Sequence, residues 1–398
     1  MRPSHHTLRA AEVQSLFADW LSPVLGPWPP VRRCTRDAVL AVLAYAAARI
    51  TSLSDACARL NEAPDGDTVL ARLIRQLPSL EELDRRLCTA FAGHLPRVIR
   101  RGHWNVALDT TLIPYHGQPF RDIDEIYRGQ PKSGTTHFHA YATAYLVLNG
   151  RRFTLALLPV PKGLPAYQIV RELRRRVVAA GVKPRRFLLD RGFNAADVVR
   201  YLQSARQPFI MPQAIRGKAP RKGPLSGLRA IRAHHKTGWT SYTWKPKGAD
   251  QRRVSVDLAV VRRRRRNRHG HRAFLYACWG VRMHPRSVFR VYRTRFGIET
   301  SYRQMHQARI RTTSRRPVLR LFFVAVALLL RNLWAWLHWV ALAIRCRGGR
   351  RVQLPRLRFR TMVLWLGHLA EKAFQYLDQT SAETPPQDDF GTKVPKRP

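Results

Sequence analysis

The hydrophobic positions of the first hundred residues recur at the spacing of amphipathic helices. The pattern is clearest in TRDAVLAVLAYAAARI and in DTVLARLIRQLPSLEELDRRL, where apolar side chains return every three or four positions. Thr35 and Ser79 precede helical runs and carry side chains that cap helix N-termini well. The pattern therefore predicts a helical domain over residues 1–100.

Beyond this region the pattern changes to short apolar runs that are typical of buried strands. One run ends at Asp109 and another ends at Asp190. Two further runs flank Asn149 and Gly150, a pair that favours a tight hairpin turn. Helical patterns separate the later runs. This order over residues 101–214 predicts a mixed α/β fold, in which helices flank a mixed sheet.

The second half of the chain divides into three further regions. Residues 215–286 combine Gly, Pro, Lys and Arg-rich turns with strand-like pieces, which predicts a β-rich insertion. Helical spacing returns over 287–378, which we expect to complete the core that begins at residue 101. The polar, proline-rich segment 379–398 has the composition of a disordered tail.

One long apolar segment, Leu321–Ile344, has the length of a membrane span. Arg331 and Asn332 interrupt its middle, where a bilayer would penalise the arginine by about 2.5–3.5 kcal/mol. We therefore expect a helix buried in the core, with Arg331 escaping at one edge, and no membrane partner.

Charge changes the picture more than any other bulk property. The chain has 71 Lys and Arg against 25 Asp and Glu, a formal net charge of +46. Such a basic globular protein has nucleic acid as its leading partner, so we favour DNA binding over simple packing for the N-terminal helices. The five cysteines form no CxxC pair, which argues for reduced thiols in a cytoplasm and against a zinc site.

Three acidic residues stand out in this basic chain: Asp109, Asp190 and Glu299. The two aspartates each follow an apolar strand-like run, and the glutamate lies in a helical pattern. Oxygen ligands of this kind suit Mg²⁺ or Mn²⁺, and two such ions promote phosphoryl transfer. Taken singly, each aspartate could instead cap a turn or helix. Together the three acids favour an enzyme that cuts or joins DNA.

The segment around Glu299 places four functional side chains at helical spacing. Tyr292, Arg295, Glu299 and His306 are separated by three, four and seven residues, so a continuous helix would carry them on one face. The functional interpretation is that Glu299 binds metal while Arg295 and Tyr292 contact phosphates. The alternative is a solvated face with a weak Arg295–Glu299 pair.

These motifs resemble the DDE transposases of bacterial insertion sequences, whose catalytic core is RNase H-like. One cut-and-paste group has a Y-x2-R-x3-E-x6-K signature and a D-x-G-[FY] pattern at the second aspartate. This chain has Tyr292, Arg295 and Glu299 at the first three signature positions, and the sequence DRGF begins at Asp190. His306 stands where that group has lysine. A β-rich insertion before the glutamate is also typical of the group.

The resemblance implies a function and a set of site residues. Asp109, Asp190 and Glu299 would bind two Mg²⁺ or Mn²⁺ ions, cleave the element ends and transfer the freed 3′-hydroxyl to target DNA. Related transposases stack a flipped base on a tryptophan, for which Trp239 and Trp244 are the candidates, or these two rings simply pack in a sheet. A homodimer on DNA is also implied.

Basic side chains around the motifs predict the DNA surface. Arg303 or Arg309 could replace the missing lysine, and His306 could contact phosphate itself. An unbroken run of arginines predicts either a loop that contacts DNA phosphates or a surface that only faces solvent. The run comprises Arg262, Arg263, Arg264, Arg265 and Arg266. Two alternatives remain open, an RNase H-like nuclease without strand transfer and an inactive transposase-derived DNA-binding protein. We expect a cytoplasmic, nucleoid-associated protein.

Overall fold

The computed structural model describes residues 7–29, 34–148, 152–244, 253–264, 271–346, 349–351 and 353–377. Several sequence predictions lie outside these residues: the Asn149-Gly150 turn, Arg265, Arg266 and the tail over 379–398.

Among the described residues, six helices precede the sheet, and side-chain caps fix where several of them begin. Thr35 accepts a hydrogen bond from the backbone N–H of Ala38, and Ser79 accepts one from Glu82, as the sequence predicts. The helices are α1 Ala10–Leu25, α2 Arg36–Arg49, α3 Leu53–Ala58, α4 Gly66–Gln76, α5 Leu80–Gly93 and α6 Arg97–Arg101.

The central sheet combines antiparallel and parallel pairs. Its core strands are β1 His103–Pro114, β2 Tyr127–Lys132, β3 Thr135–Leu146, β4 Thr154–Val160, β5 Lys183–Leu189 and β6 Phe209–Pro212. Antiparallel pairing joins β3 to β1, β2 and β4, whereas β5 runs parallel to both β1 and β6. Two helices connect the parallel strands, α7 Ala166–Ala179 and α8 Ala196–Ser204. This mixed α/β arrangement confirms the predicted fold class and is that of an RNase H-like core.

The insertion is β-rich, and its strands continue the same sheet. Helix α9 Gly227–His234 precedes β7 Gly238–Trp244, β8 Val254–Arg264 and β9 His271–Trp279. Strand β9 pairs antiparallel with β6, so the sheet order is β2-β3-β1-β5-β6-β9-β8-β7, with β4 beside β3. The insertion is therefore an extension of the core sheet.

The chain after the insertion is mainly helical. It forms α10 Pro285–Arg293, α11 Gly297–His306, α12 Pro317–Val340, a short hairpin of β10 Ile344–Cys346 and β11 Gly349–Arg351, and α13 Phe359–Phe374. By length and composition, α12 could cross a membrane, yet 89% of its apolar window is buried inside the protein. The helix lies where a core helix was predicted.

The prediction that Arg331 escapes at an edge of α12 is wrong. Its side chain is fully buried, with 2% of the residue exposed, and it donates a hydrogen bond to the backbone carbonyl of Arg152. Burial lowers the pKa of Arg331 to about 10. The adjacent Asn332 bonds both the N–H and the carbonyl of Thr154 at 2.8 Å. These two side chains fix α12 against the strand β4.

The N-terminal helices share one hydrophobic core with the sheet and the C-terminal helices. Gly367 of α13 lies so close to α2 that a Cβ at this position would come within 2.6 Å of Ala48. The end of α13 also bonds the N-terminal helices, because Asn61 donates to Gln375 and Glu62 donates to Phe374. The division into domains at residues 100, 214 and 286 stays a prediction of the sequence.

Candidate active site

Asp109 and Asp190 lie side by side on neighbouring parallel strands. The register of β1 and β5 pairs Leu108 with Leu189, so the next residue on each strand is an aspartate. Asp190 directly follows β5, as predicted. Asp109 does not end its strand, however, because β1 continues to Pro114 through antiparallel pairing with β3. The two carboxylates therefore meet where the parallel pairing stops.

A single guanidinium bridges the two aspartates. The Nη2 atom of Arg295 lies 2.9 Å from Oδ1 of Asp109 and 3.4 Å from Oδ1 of Asp190. The Arg295 side chain is only 6% exposed, compared with 15% for Asp109 and 46% for Asp190. Arg295 thus compensates part of the negative charge of the acidic pair from its buried side. This position differs from the predicted phosphate contact and also from the alternative pairing with Glu299.

The predicted continuous helix through Tyr292 and His306 is interrupted. Helix α10 ends at Arg293, a 3₁₀ turn spans Thr294–Phe296, and α11 begins at Gly297. The tighter turn, with 3.0 rather than 3.6 residues, rotates the later side chains away from the predicted common face. Tyr292 and Arg295 are consequently buried while Glu299 and His306 are exposed.

Tyr292 holds the helical segment against the sheet. Its hydroxyl donates a hydrogen bond of 3.1 Å to the carbonyl of Leu189, the residue before Asp190. Burial is the main cause that raises the pKa of Tyr292, so the hydroxyl keeps its proton. Tyr292 therefore positions Arg295 and Asp190 rather than contacting phosphate, which corrects the sequence interpretation.

Glu299 lies in the first turn of α11 and faces solvent. Its negative charge acts on Asp109, whose pKa it helps to raise, so the two carboxylates share one electrostatic environment. The described residues nevertheless contain no cluster of three or more His, Cys, Asp and Glu side chains close enough to hold a metal. Glu299 is near the pair but not in contact with it.

A second contact anchors α11 to the sheet directly opposite Asp109. The Tyr302 and Thr143 hydroxyls are 2.6 Å apart, and Thr143 is the residue that β3 pairs with Asp109. No sequence motif singled out Tyr302. Its position three residues after Glu299, on the same predicted helix, was the available signal.

The charge balance leaves Asp109 unusually basic. The pKa of Asp109 is raised to about 6, mainly by burial and to a smaller extent by the negative charges of Asp190 and Glu299. The guanidinium of Arg295 and the N–H of Thr110 act in the opposite direction. One positive charge therefore does not compensate three carboxylates, and a divalent cation at Asp109 and Asp190 would fit both their oxygen chemistry and this deficit.

Two candidate residues near the end of α11 differ in charge. The His306 residue is exposed to solvent, but surrounding protein atoms partly desolvate its ring. This desolvation and the positive charges of Arg309 and Lys132 lower the pKa of His306. The imidazole is therefore mostly neutral at pH 7 and does not substitute for a lysine ammonium. Arg303 is exposed and carries the permanent charge on this helix.

Within the arginine run, the side chains play different roles. Arg262 donates to the carbonyls of His235 at 2.9 Å and Arg232 at 3.2 Å. Because these carbonyls lie at the end of α9, Arg262 caps that helix, and its contact with DNA stays a prediction. Arg263 instead stacks 4.9 Å above the ring of Phe289, and Arg264 is exposed.

A basic groove lies between β8 and α10. It encloses about 850 Å³, and no acidic side chain is among the described residues that line it. Its charged lining comprises Arg262, Arg263, Arg286, Arg290 and Arg293. Helix α10, which supplies one side of this groove, is followed by the 3₁₀ turn that carries Arg295.

The two tryptophan candidates lie at different depths. Trp244 is buried in the core, so its ring offers no face to a base in this conformation. Trp239 is exposed, and its Nε1 donates a 3.1 Å hydrogen bond to the carbonyl of Met283, just before α10. Only Trp239 therefore has the accessibility that base stacking needs.

The comparison with known families agrees with this geometry. The family model described as "Transposase DDE domain" matches residues 100–333, which is more than half of the chain. The matched region contains the whole sheet together with Asp109, Asp190, Arg295 and Glu299. No curated protein matches the chain. The chain belongs to the transposase DDE domain family.

Proposed function

We propose that this protein is a DNA transposase that cleaves element ends and joins them to target DNA in a cut-and-paste reaction. Asp109, Asp190 and Glu299 are the proposed catalytic residues and the ligands of Mg²⁺ or Mn²⁺. The observation that carries the proposal is the pair of aspartates on adjacent strands, bridged by one buried arginine. The family match over residues 100–333 supports it.

The side chains have separate tasks in this reaction. Asp109 and Asp190 would hold divalent cations, with Glu299 approaching from α11. When bound, the ions would activate the attacking oxygen and stabilise the leaving oxygen. Arg295 holds the two aspartates together and favours the charged form of Asp109, while Tyr292 fixes the segment that carries Arg295. The Asp109 carboxyl must lose its proton before it can act as a ligand.

We place the DNA along the basic groove between β8 and α10. Arg263, together with the exposed Arg264 and Arg303, would contact phosphates, and Trp239 would stack a displaced base. Two element ends must be held together for joining, so we propose a homodimer on DNA. The protein would act in the cytoplasm, on the nucleoid.

The raised pKa of Asp109 predicts how cation binding depends on pH. The carboxyl is protonated below about pH 6 and charged above it, and only the charged form binds a cation. We expect Mn²⁺ affinity, measured by calorimetry, to be about tenfold weaker at pH 5 than at pH 7. A transition near pH 4, the ordinary value for aspartate, would contradict the shifted pKa.

Strand transfer distinguishes the transposase from a nuclease. A pre-cut DNA end incubated with supercoiled plasmid and Mg²⁺ should become joined to the plasmid, with no product in EDTA. Plasmid nicking without joining would indicate a nuclease of this family. DNA binding without Mg²⁺, and with neither nicked nor joined product, would indicate an inactive derivative. This outcome is relevant because a mostly neutral His306 stands in place of the family's charged lysine.

A further inference from the structure

A separate cavity of about 460 Å³ opens between the sheet, the segment after α11 and the N-terminal helices. Six of the residues that line the cavity matter for what it could bind: Ile113 from β1, His139 and Tyr141 from β3, and Arg309, Arg311 and Arg320. Ser52, the N-terminal cap of α3, closes the remaining side. The cavity volume lies within the range of about 300–1,000 Å³ that small-ligand sites occupy.

The cavity is positively charged, and no carboxylate is among the described residues that line it. Arg320 is committed to the protein, because its Nε donates at 2.6 Å to the carbonyl of Ser314 and its guanidinium lies 4.5 Å above the Tyr115 ring. Arg309 makes no ion pair or hydrogen bond with any residue that the structure describes. Burial and the charges of Arg320 and Arg311 lower the pKa of Arg309, so its charge lacks compensation.

A buried histidine supplies an independent sign of a missing partner. His139 is only 5% exposed, and its Nε2 atom has no hydrogen-bond partner among the described residues. Burial and the charge of Arg320 lower the pKa of His139 to about 4, so the ring is neutral at pH 7 and can donate a single N–H. A buried polar atom without a partner is costly, and an oxygen acceptor in the cavity would satisfy it.

We infer that this cavity binds one phosphate of the DNA backbone, with Arg309 and the Nε2 atom of His139 as its direct contacts. A phosphodiester supplies negative charge and acceptor oxygens in one group, which are the two things that the cavity lacks. Arginine suits this ligand because its planar fork can bind two oxygens at once. Arg320 would position the wall and contribute charge. The inference rests on the proposed function, because it takes DNA as the ligand.

The cavity lies on the same face of the sheet as the catalytic aspartate. Asp109 and Ile113 are four residues apart on β1, and their partners on β3 are Thr143 and His139. Even spacing keeps side chains on one face, and four residues of strand span about 14 Å. That distance corresponds to about four base-pair steps along the axis of a DNA duplex, at 3.4 Å each. A phosphate held at Arg309 would thus fix the strand a few nucleotides from the reacting bond.

The first test measures binding of a short DNA duplex of arbitrary sequence, in EDTA, by fluorescence anisotropy over a range of salt. Arg309→Gln should weaken binding about tenfold or more, and should lower the salt dependence by about one phosphate contact. The matched control is Arg315→Gln, an exposed arginine outside the cavity, which should change affinity no more than a few-fold. Equal effects of the two substitutions would overturn the inference.

The second test reads the cavity directly, without DNA or catalysis. Inorganic phosphate added to protein with ¹⁵N-labelled histidine should shift the His139 Nε2 resonance, which His139→Gln identifies by its loss. The shift should vanish in Arg309→Gln and persist in Arg315→Gln. If Arg309→Gln does not fold, Arg309→Lys keeps the charge but loses the planar fork, and should weaken the shift.

The outcomes separate this inference from the proposed function. An absent phosphate shift in the wild-type protein overturns the cavity assignment, even if cleavage and joining are normal. A phosphate shift that depends on Arg309, in a protein that neither cleaves nor joins DNA, supports the anion site and contradicts the transposase activity.

Discussion

Asp109→Asn is expected to abolish Mg²⁺-dependent DNA cleavage while DNA affinity stays close to that of the wild-type protein. Asparagine keeps the size of the side chain but removes the negative charge that a divalent cation needs. Metal-ion catalysis contributes several kcal/mol to phosphoryl transfer, so the rate should fall about 10³-fold or more. Cleavage of a labelled element end under single-turnover conditions measures this loss.

Two comparisons make the Asp109 result specific. Asp257→Asn removes the same charge from an exposed position on β8 of the same sheet, and it should leave the cleavage rate unchanged. Gel-shift affinity in EDTA should differ little among the three proteins, because the overall charge stays strongly positive. Cleavage by Asp109→Asn at the wild-type rate, or a parallel loss of DNA binding, would contradict a catalytic role for this carboxylate.

The meeting of the two aspartates could be predicted from sequence, because each follows a short apolar run and parallel strands end at the same sheet edge. The position of Asp109 inside β1 could not be predicted. Five further residues remain in the strand only because β3, more than twenty residues later in the chain, pairs with them. Such long-range pairing leaves no local trace in the sequence.

Helical spacing predicted that the segment around Glu299 is helical, but not which of its side chains are buried. The assumption of one continuous helix placed Arg295 beside Glu299 on an exposed face. The tertiary contact from Tyr292 to Leu189 and the 3₁₀ turn after Arg293 instead bury Arg295 against the strand ends. Packing decides such turns more strongly than local propensity does.

The charge pattern predicted nucleic acid as the partner, but it did not predict the role of each arginine. Arg262 and Arg263 are adjacent in an unbroken arginine run, yet one caps α9 and the other stacks on Phe289. The sequence predicts Arg309 only as a basic side chain that could replace the missing lysine, because nothing in the sequence shows that β3 supplies His139 to the same cavity. Only the fold distinguishes a structural arginine from one that lacks a partner.

Arg295→Gln is expected to destabilise the metal-free protein and to make its stability depend strongly on pH. The substitution leaves two adjacent carboxylates without their bridging cation. Loss of one partner from a buried pair costs about 3–5 kcal/mol, and the exposure of Asp190 reduces this to about 2–4 kcal/mol at pH 7.5. Urea unfolding at several pH values measures the loss.

The pH dependence separates lost charge compensation from lost packing. Without Arg295 the pKa of Asp109 should rise above its present value of about 6. A folded-state pKa above the unfolded value means that stability falls as the pH rises from about 4 through that folded value. Arg295→Gln should therefore lose less stability at pH 5 than at pH 7.5, because Asp109 is then protonated.

Two further measurements decide whether Arg295 and a divalent cation compensate the same carboxylates. Mg²⁺ should restore more stability to Arg295→Gln than it adds to the wild-type protein, because cation and guanidinium compensate the same carboxylates. Arg175→Gln breaks an exposed arginine–glutamate pair on α7, and should cost less than about 1 kcal/mol with no Mg²⁺ effect. Equal destabilisation of Arg295→Gln at both pH values, unaffected by Mg²⁺, would mean that Arg295 only packs, and that the acidic pair needs no cation.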